Sequence, residues 1–547
     1  MRLSALLVVL LAAAAPPPKQ ADITYSNIAA KSEFGYRSNN HYTGRKYFPQ
    51  PMCGGVAVLD YNQDGHMDLF FTNGAPFPEL QKSDKSYDNC LLRNRGDGTF
   101  EDVTAKAALA GRDIGFSFGV AAGDFDSDGY TDLFVAGMGR NTLYRATPNG
   151  VFEDVTKGSG LNTKASDVIS IGGAWLDYDN DGRLDLVVSD YTPWTPATDQ
   201  RCRLAGVEGY CSPKMYQGSL QRLYHSLGGG KFEDVTERAG FGKHIGKGMG
   251  IAVADFNQDG WMDVFIANDT LRNLLFVNRK DGTFQEAALA WGAAYNDEGA
   301  SVSGMGTDAK DFDNDGWPDI IYNDLMTQLF GLLHNAGGKR LQYASAIYGI
   351  DPLSRDFSGW SPGFIDYDND GWKDIYSANG DIDDTSTNSQ QHDTMWRNRH
   401  GKLFEDVSAK LGPGFMEKGF QRGSAFVDLN NDGFLDIVVT SLNRKPRILM
   451  NSGNNRNHWL MVDPVGRRSN RDAIGAQMKL TLASGRTLHN HVTTSVGFMS
   501  SSDRRVHFGL GAETAIASLE IRWPSGAVQV IAKPPLDRTL KVEEPAS

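Results

Sequence analysis

Seven loops in this chain each crowd hard oxygen donors into nine residues. They are DYNQDGHMD (60–68), DFDSDGYTD (124–132), DYDNDGRLD (177–185), DFNQDGWMD (255–263), DFDNDGWPD (311–319), DYDNDGWKD (366–374) and DLNNDGFLD (428–436). Position 1 is Asp60, Asp124, Asp177, Asp255, Asp311, Asp366 or Asp428, and position 3 is Asn62, Asp126, Asp179, Asn257, Asp313, Asp368 or Asn430. Position 5 is Asp64, Asp128, Asp181, Asp259, Asp315, Asp370 or Asp432, and position 9 is Asp68, Asp132, Asp185, Asp263, Asp319, Asp374 or Asp436. Glycine at position 6 allows the sharp turn that brings these side chains around one point. Calcium takes six to eight such oxygens at about 2.3–2.6 Å. The carbonyls of position 7 (His66, Tyr130, Arg183, Trp261, Trp317, Trp372, Phe434) are expected to add one more in each loop. An EF-hand is excluded because position 12 holds Phe71, Val135, Val188, Ile266, Tyr322, Ser377 or Val439 where it needs glutamate, and because the flanks read as strands. Magnesium, which keeps its waters and rarely sits in an all-protein cage, fits less well. The expectation is about seven Ca²⁺ sites.

The formal charge of −13 supports that expectation. Seven divalent ions would bring it to +1, and loss of Arg2 and Lys19 with a leader to −1, so the acidity is accounted for by cations and not by a basic partner. No Lys/Arg stripe of the kind that binds nucleic acid is present.

The loops recur every 53 to 78 residues. A Gly-rich apolar stretch precedes each (GGVAVLD, GVAAGD, GGAWLD, GMGIAVAD) and a β-branched or aromatic run follows (DLFFTN, DLVVSD, DIVVTS). A further echo, as in LLRNRGDGTFEDVT and NRHGKLFEDVS, reads as a third strand, a turn and a fourth. Four short strands per unit and seven units make an all-β propeller. The seventh unit lacks its FEDVT strand, and ITYSNIAAKSEFG near the N-terminus resembles it. Residues 22–30 are therefore expected to complete the blade that contains Asp428, because closure removes exposed sheet edges. After residue 455 the repeat stops. AQMKLTLA, LHNHVTTS and SLEIRWPS, split by ASG, GLG and PSG turns, read as a separate small β domain.

The first residues, MRLSALLVVLLAAAAPPPKQA, have the basic start, apolar run and small residues of a secretory signal, with cleavage placed after Ala21 rather than Ala15. The organisation is then 1–21 signal peptide, 22–455 propeller and 456–547 C-terminal domain. An exported chain can pair its cysteines. Cys202 and Cys211 are expected to bond locally, which leaves Cys53 and Cys90 as a second pair.

The DxDxDGxxD loops between strands resemble the FG-GAP/VCBS repeats of integrin-α-type seven-bladed propellers. NHWLMVDPVG (457–466), SNRDAIGAQMKL (469–480), VHFGLG (506–511) and IRWPSG (521–526) resemble the ASPIC/UnbV domain. Together they look like the cartilage acidic protein 1 family. That resemblance implies a secreted, extracellular or periplasmic calcium-binding module for matrix, adhesion or surface contacts, with a protein or glycan ligand and no membrane span. The chain departs from vertebrate members in its few cysteines and in having no EGF-like module.

Catalytic signals are thin. GFSFG (115–119) matches G-x-S-x-G, but Ser117 leads into a strand and a calcium loop, not into a helix. His489 and His491 share a strand face and read as solvated. The disulfide-bearing insert 190–219 and the Arg/Tyr-rich segment 37–53 are candidate recognition surfaces on the ring. Asn268-Asp269-Thr270 is the one glycosylation sequon considered. The leading expectation is a binding or adhesion module. An enzyme with its site in the propeller channel, or a structural surface component, is the alternative.

Overall fold

The computed structural model describes residues 22–161, 167–204, 206–384 and 386–546. The signal-peptide expectation for residues 1–21 lies outside them. The described chain is nearly all β. Seven four-stranded antiparallel sheets follow one another, and two further sheets are built from residues 458–543.

In each of the seven sheets the nine-residue loop is the turn between the first and second strands. In the first blade, Val56–Leu59 enters the loop and Asp68–Phe71 leaves it; Cys90–Asn94 and Phe100–Asp102 complete the sheet. The innermost strands Val56–Leu59, Ser117–Gly123, Val168–Leu176, Gly248–Ala254, Thr307–Lys310, Gly359–Ile365 and Gln421–Val427 each pack on the next, and the last packs on the first. This is a closed seven-bladed ring. Its closure is made by the N-terminal strand Tyr25–Asn27, whose Tyr25 pairs with Asn451 and Asn27 with Leu449. Successive blades share apolar seams, such as Leu59, Phe70, Leu91, Val120, Leu133 and Tyr144 between blades 1 and 2.

Side-chain amides tie each blade to its neighbour. Buried Asn94, Asn278, Asn335, Asn398 and Asn451 end the third strands. Asn94 Nδ2 donates to Met67 O of its own loop (3.1 Å) and to Leu429 O of the preceding blade (2.9 Å). Asn278 reaches Tyr178 O, Asn335 reaches Phe256 O, Asn398 reaches Phe312 O and Asn451 reaches Tyr367 O. Ala146 and Ser226 stand at this place in blades 2 and 3. An Asn451→Ala change leaves buried carbonyls unpaired and is expected to lower stability by about 1–3 kcal/mol in guanidinium unfolding.

The C-terminal strands form a three-stranded sheet, with His458–Val465 between Val506–Gly511 and Thr539–Glu543, and a four-stranded sheet in the order Thr487–His491, Gln477–Leu482, Ile516–Arg522, Val528–Ala532. They do not stand apart from the ring. Phe125, Phe134, Trp175 and Leu184 of blades 2 and 3 belong to one buried cluster with Leu460, Ile474, Met478, Leu519 and Trp523.

Cys202 and Cys211 are bonded. Cys53 and Cys90 are both buried and unpaired, contrary to the expected second bridge. Cys53 precedes the first strand of blade 1 and Cys90 begins its third, so the second strand lies between them. Two strand spacings, roughly 9.5 Å, exceed what a disulfide spans.

Candidate metal loops and the filled channel

Each loop is folded by its own carboxylates. In blade 1, Asp60 accepts the amides of Asp64 (3.1 Å) and Gly65 (2.9 Å), and Asp64 accepts that of His66 (3.0 Å). Asp68 accepts the amides of Tyr61 (3.1 Å) and Asn94 (2.7 Å), which pins the loop to the third strand. The other six loops repeat this scheme; in blade 2, Asp132 holds Phe125 and Ala146, and in blade 7, Asp436 holds Leu429 and Asn451. Position 6 is a glycine with positive φ in all seven, from Gly65 (84°) to Gly433 (82°).

The loops also form a ring. The position-4 residue takes a left-handed conformation in every blade, and its amide reaches the position-6 carbonyl of the next. Gln63 Nε2 donates to Gly129 O (2.7 Å), Asn180 Nδ2 to Gly260 O (3.0 Å), Gln258 to Gly316 O, Asn314 to Gly371 O (3.0 Å), Asn369 to Gly433 O (3.0 Å) and Asn431 to Gly65 O (3.1 Å). Ser127 of blade 2 is the short side chain at this place.

Positions 1, 3 and 9 converge. Carboxylate oxygens of Asp124, Asp126 and Asp132 lie within 4.8 Å of one another, as do those of Asp177, Asp179, Asp185 and of Asp311, Asp313, Asp319. Oδ1 of Asp126, Asp179 and Asp368, all at position 3, is buried without a hydrogen-bond partner. Burial, with neighbouring loop carboxylates adding to it, pushes Asp68 up to about 8, Asp177 to about 8 and Asp132 to about 9. Asp263, Asp319, Asp374 and Asp436 are likewise held well above the usual carboxylate range, with burial the largest cause. Crowded, buried oxygens of one sign with orphaned lone pairs fit a hard divalent cation. The residues at position 7 offer their backbone to the loop, with amides held by position 5, as Trp261 is by Asp259 (3.1 Å); Arg183 alone among them also pairs its guanidinium with the position-5 carboxylate, Asp181.

A residue of the third strand overhangs each loop, and sequence reading missed it. It is Arg93, Arg145, His225, Val277, His334, Arg397 or Met450, all in equivalent register. Arg397 pairs with Asp368 (2.6 Å) and Asp370 (3.0 Å), and Arg93 with Asp64 (3.3 Å).

The C-terminal sheets sit on this loop face. Asp472 accepts the amide of Asp124 (2.7 Å), Gln477 donates to Asp255 Oδ2 (2.8 Å), Arg486 to Asp370 O (3.2 Å) and Arg505 to Asp428 O (3.2 Å). His491 faces the ring and is buried, which corrects the solvated-face reading; burial pushes it down to about 3 and His489 to about 4.

Residues 494–503 run into the channel itself. Ser501 exchanges backbone bonds with Val56 and Val58, Gly497 with Thr307, and Met499 O accepts from Val120. Ser495 Oγ donates to Ile251 O (2.7 Å), Phe498 N to Ser361 Oγ (2.9 Å) and Asp503 N to Phe426 O (3.2 Å). A Cβ on Gly172 would stand 4.0 Å from Met499 Cα, so all seven blades meet this segment. It fills the space that a channel active site would need. Above it, Tyr47, Phe48, Phe77, Phe116, Tyr191, Trp194 and Trp360 close the other face around Phe498 and Met499. Segment 37–53 and the start of insert 190–219 thus build a lid; Ser117 and Asn268 are buried in strands.

The FG-GAP-like repeat model matches residues 60–135, 124–188, 216–266, 255–322, 311–377 and 366–439, and the ASPIC and UnbV model matches 466–547. Cartilage acidic protein 1 of Homo sapiens is 26% identical over 504 residues, 87% of this chain and 70% of that protein. The Xenopus tropicalis protein is 26% identical over 503 residues, 88% and 71%. Among solved structures, an Agrocybe aegerita protein described as recognising non-reducing terminal N-acetylglucosamine matches at TM-score 0.43 and 13% identity, over 72% of this chain and 86% of that one. Bacillus licheniformis rhamnogalacturonan lyase PL11 matches at 0.39 and 11%, over 78% and 75%. Likeness at that level carries no implication for ligand or activity. The chain belongs to the FG-GAP-like repeat family and, with its ASPIC and UnbV domain, is a homologue of cartilage acidic protein 1.

Proposed function

We propose that this protein is a secreted calcium-binding module that acts by presenting a rigid surface to an extracellular protein or glycan. The observation that carries this reading is the convergence of the carboxylates in the loops of blades 2, 3 and 5, with the buried position-3 oxygens of Asp126, Asp179 and Asp368 left without a protein donor. Relationship to cartilage acidic protein 1 agrees with it, and no helix among the described residues is long and apolar enough to cross a membrane. The channel is filled by the chain's own residues 494–503, so ligand recognition falls to the outer faces. The disulfide-closed hairpin of Cys202–Leu204 and Val207–Gly209 is the prominent excursion there. Elemental analysis of the purified protein, before and after dialysis against a chelator, tests the reading. Calcium at several equivalents per chain is the expected result. Calcium below one equivalent would defeat it.

A further inference from the structure

The overhanging third-strand residue divides the seven loops into chemical kinds. In five it offers no nitrogen or oxygen ligand: Arg93, Arg145 and Arg397 are cationic, Val277 is a hydrocarbon, and the thioether of Met450 suits only soft ions. In blades 3 and 5 it is an imidazole. His225 Nδ1 stands 3.2 Å from Asp185 Oδ1 and 3.4 Å from Asp179 Oδ2. His334 Nε2 stands 3.1 Å from Asp313 Oδ2 and 3.8 Å from Asp315 Oδ2. In each blade the nitrogen and the carboxylates at positions 3 and 5 offer atoms within 4.8 Å of one another.

We propose that the loops of blades 3 and 5 form a second class of cation site, in which His225 and His334 complete a carboxylate–imidazole set for a divalent transition ion of the zinc type. The proposal rests on the reading that the loops hold cations. Ligands around a tetrahedral ion with bonds near 2.0–2.2 Å lie roughly 3.3–3.6 Å apart; three of the four nitrogen-to-oxygen distances, 3.1, 3.2 and 3.4 Å, are close to that spacing and the fourth, 3.8 Å, is slightly longer. The 3.8 Å separation is too long for a hydrogen bond but suits two ligands of one ion. Asp179 Oδ1 is buried in the first of these loops with no partner, so a lone pair remains for the ion. Both rings are held in place by the aromatic residue at position 2. Tyr178 meets His225 edge-on (5.8 Å, 87°), and Phe312 meets His334 (6.2 Å, 72°). Imidazole with carboxylate favours zinc-like ions over calcium, whereas an all-oxygen loop favours calcium.

The test counts both metals in one sample. Tag-free protein is stripped with chelator, dialysed against calcium in large excess over zinc, freed of unbound ions and analysed. About two zinc per chain are expected beside calcium, about one in His225→Gln or His334→Gln and none in the double variant, each folded by circular dichroism. Zinc that is absent, or retained equally by the double variant, overturns the proposal. Zinc that follows the two histidines while calcium is absent upholds this site and defeats the calcium reading instead; absence of both metals defeats both.

Discussion

Stripping the loops of cations is expected to lower the melting temperature by more than about 10 °C and to reverse its dependence on pH. With ions bound, each occupied site stabilises the fold by about 2.7 kcal/mol at a hundred times its dissociation constant, and several sites act together. Protons compete with the ions for carboxylates, so the loaded protein should lose stability as pH falls from 7 toward 5. The ion-free protein should do the opposite. Burial raises Asp68 and Asp177 to about 8 and Asp132 to about 9 in the folded state, against about 3.9 for an unfolded aspartate. Between those values the native state binds more protons than the unfolded chain, so stability falls as pH rises from about 4 to about 9. Where His225 faces Asp185, the carboxyl rises only to about 6, and the window there is narrower. Calorimetry at pH 5, 7 and 8.5, with calcium and with chelator, should give melting curves whose order inverts. Parallel curves, or a chelated protein as stable as the loaded one, would remove cation binding as the source of stability.

The loops and the ring were legible because both are repeats. Seven copies in one register expose the same oxygen at positions 1, 3, 5 and 9, and a missing fourth strand in the last copy points to the N-terminal segment that supplies it. What lies between repeats was not legible. The amides of Gln63, Asn180 and Asn431 look like ordinary turn residues until the next blade's carbonyl is placed beside them. His225 and His334 occur about 40 and 15 residues after their loops, and only strand pairing puts them over the carboxylates. Cysteine counting allowed a Cys53–Cys90 bridge that the intervening strand forbids.

The Gly-rich innermost strands were read only as a mark of the repeat. Their cause is the close approach of neighbouring inner strands and of the channel segment. A Cβ on Gly55 would meet Met499 O at 2.4 Å, and one on Gly119 would meet Ile171 O at 2.3 Å and Met499 Cα at 3.0 Å. The segment itself, TSVGFMSSSD, has nothing in its composition that announces a plug. It reads as a loop of a small β domain, and its role appears only when that domain is set on the ring.

Phe498→Asp is expected to be the most damaging single change away from the acidic loops. Phe498 is fully buried and packs edge-on against Trp360 (5.1 Å, 61°), at the one place where the C-terminal domain touches every blade. Truncation of such a ring to alanine costs about 3–5 kcal/mol, and a carboxylate there would also have to shed its hydration or stay outside. Staying outside means withdrawing residues 494–503. The glycine-lined inner strands then lose the partner that fills them, and Val56, Val58, Val120 and Thr307 lose their backbone bonds to the segment. The contacts of Asp472, Gln477 and Arg505 with the loops of blades 2, 4 and 7 would have to hold the domain alone. We expect one calorimetric transition in the wild type and two in the variant, with trypsin cutting between residues 452 and 458, where the chain leaves the ring. Val528→Lys, on an exposed edge strand at 57% exposure, serves as the control and should leave the single transition intact. A variant that still melts once, at the wild-type temperature, would mean that the segment occupies the channel without holding the two parts together.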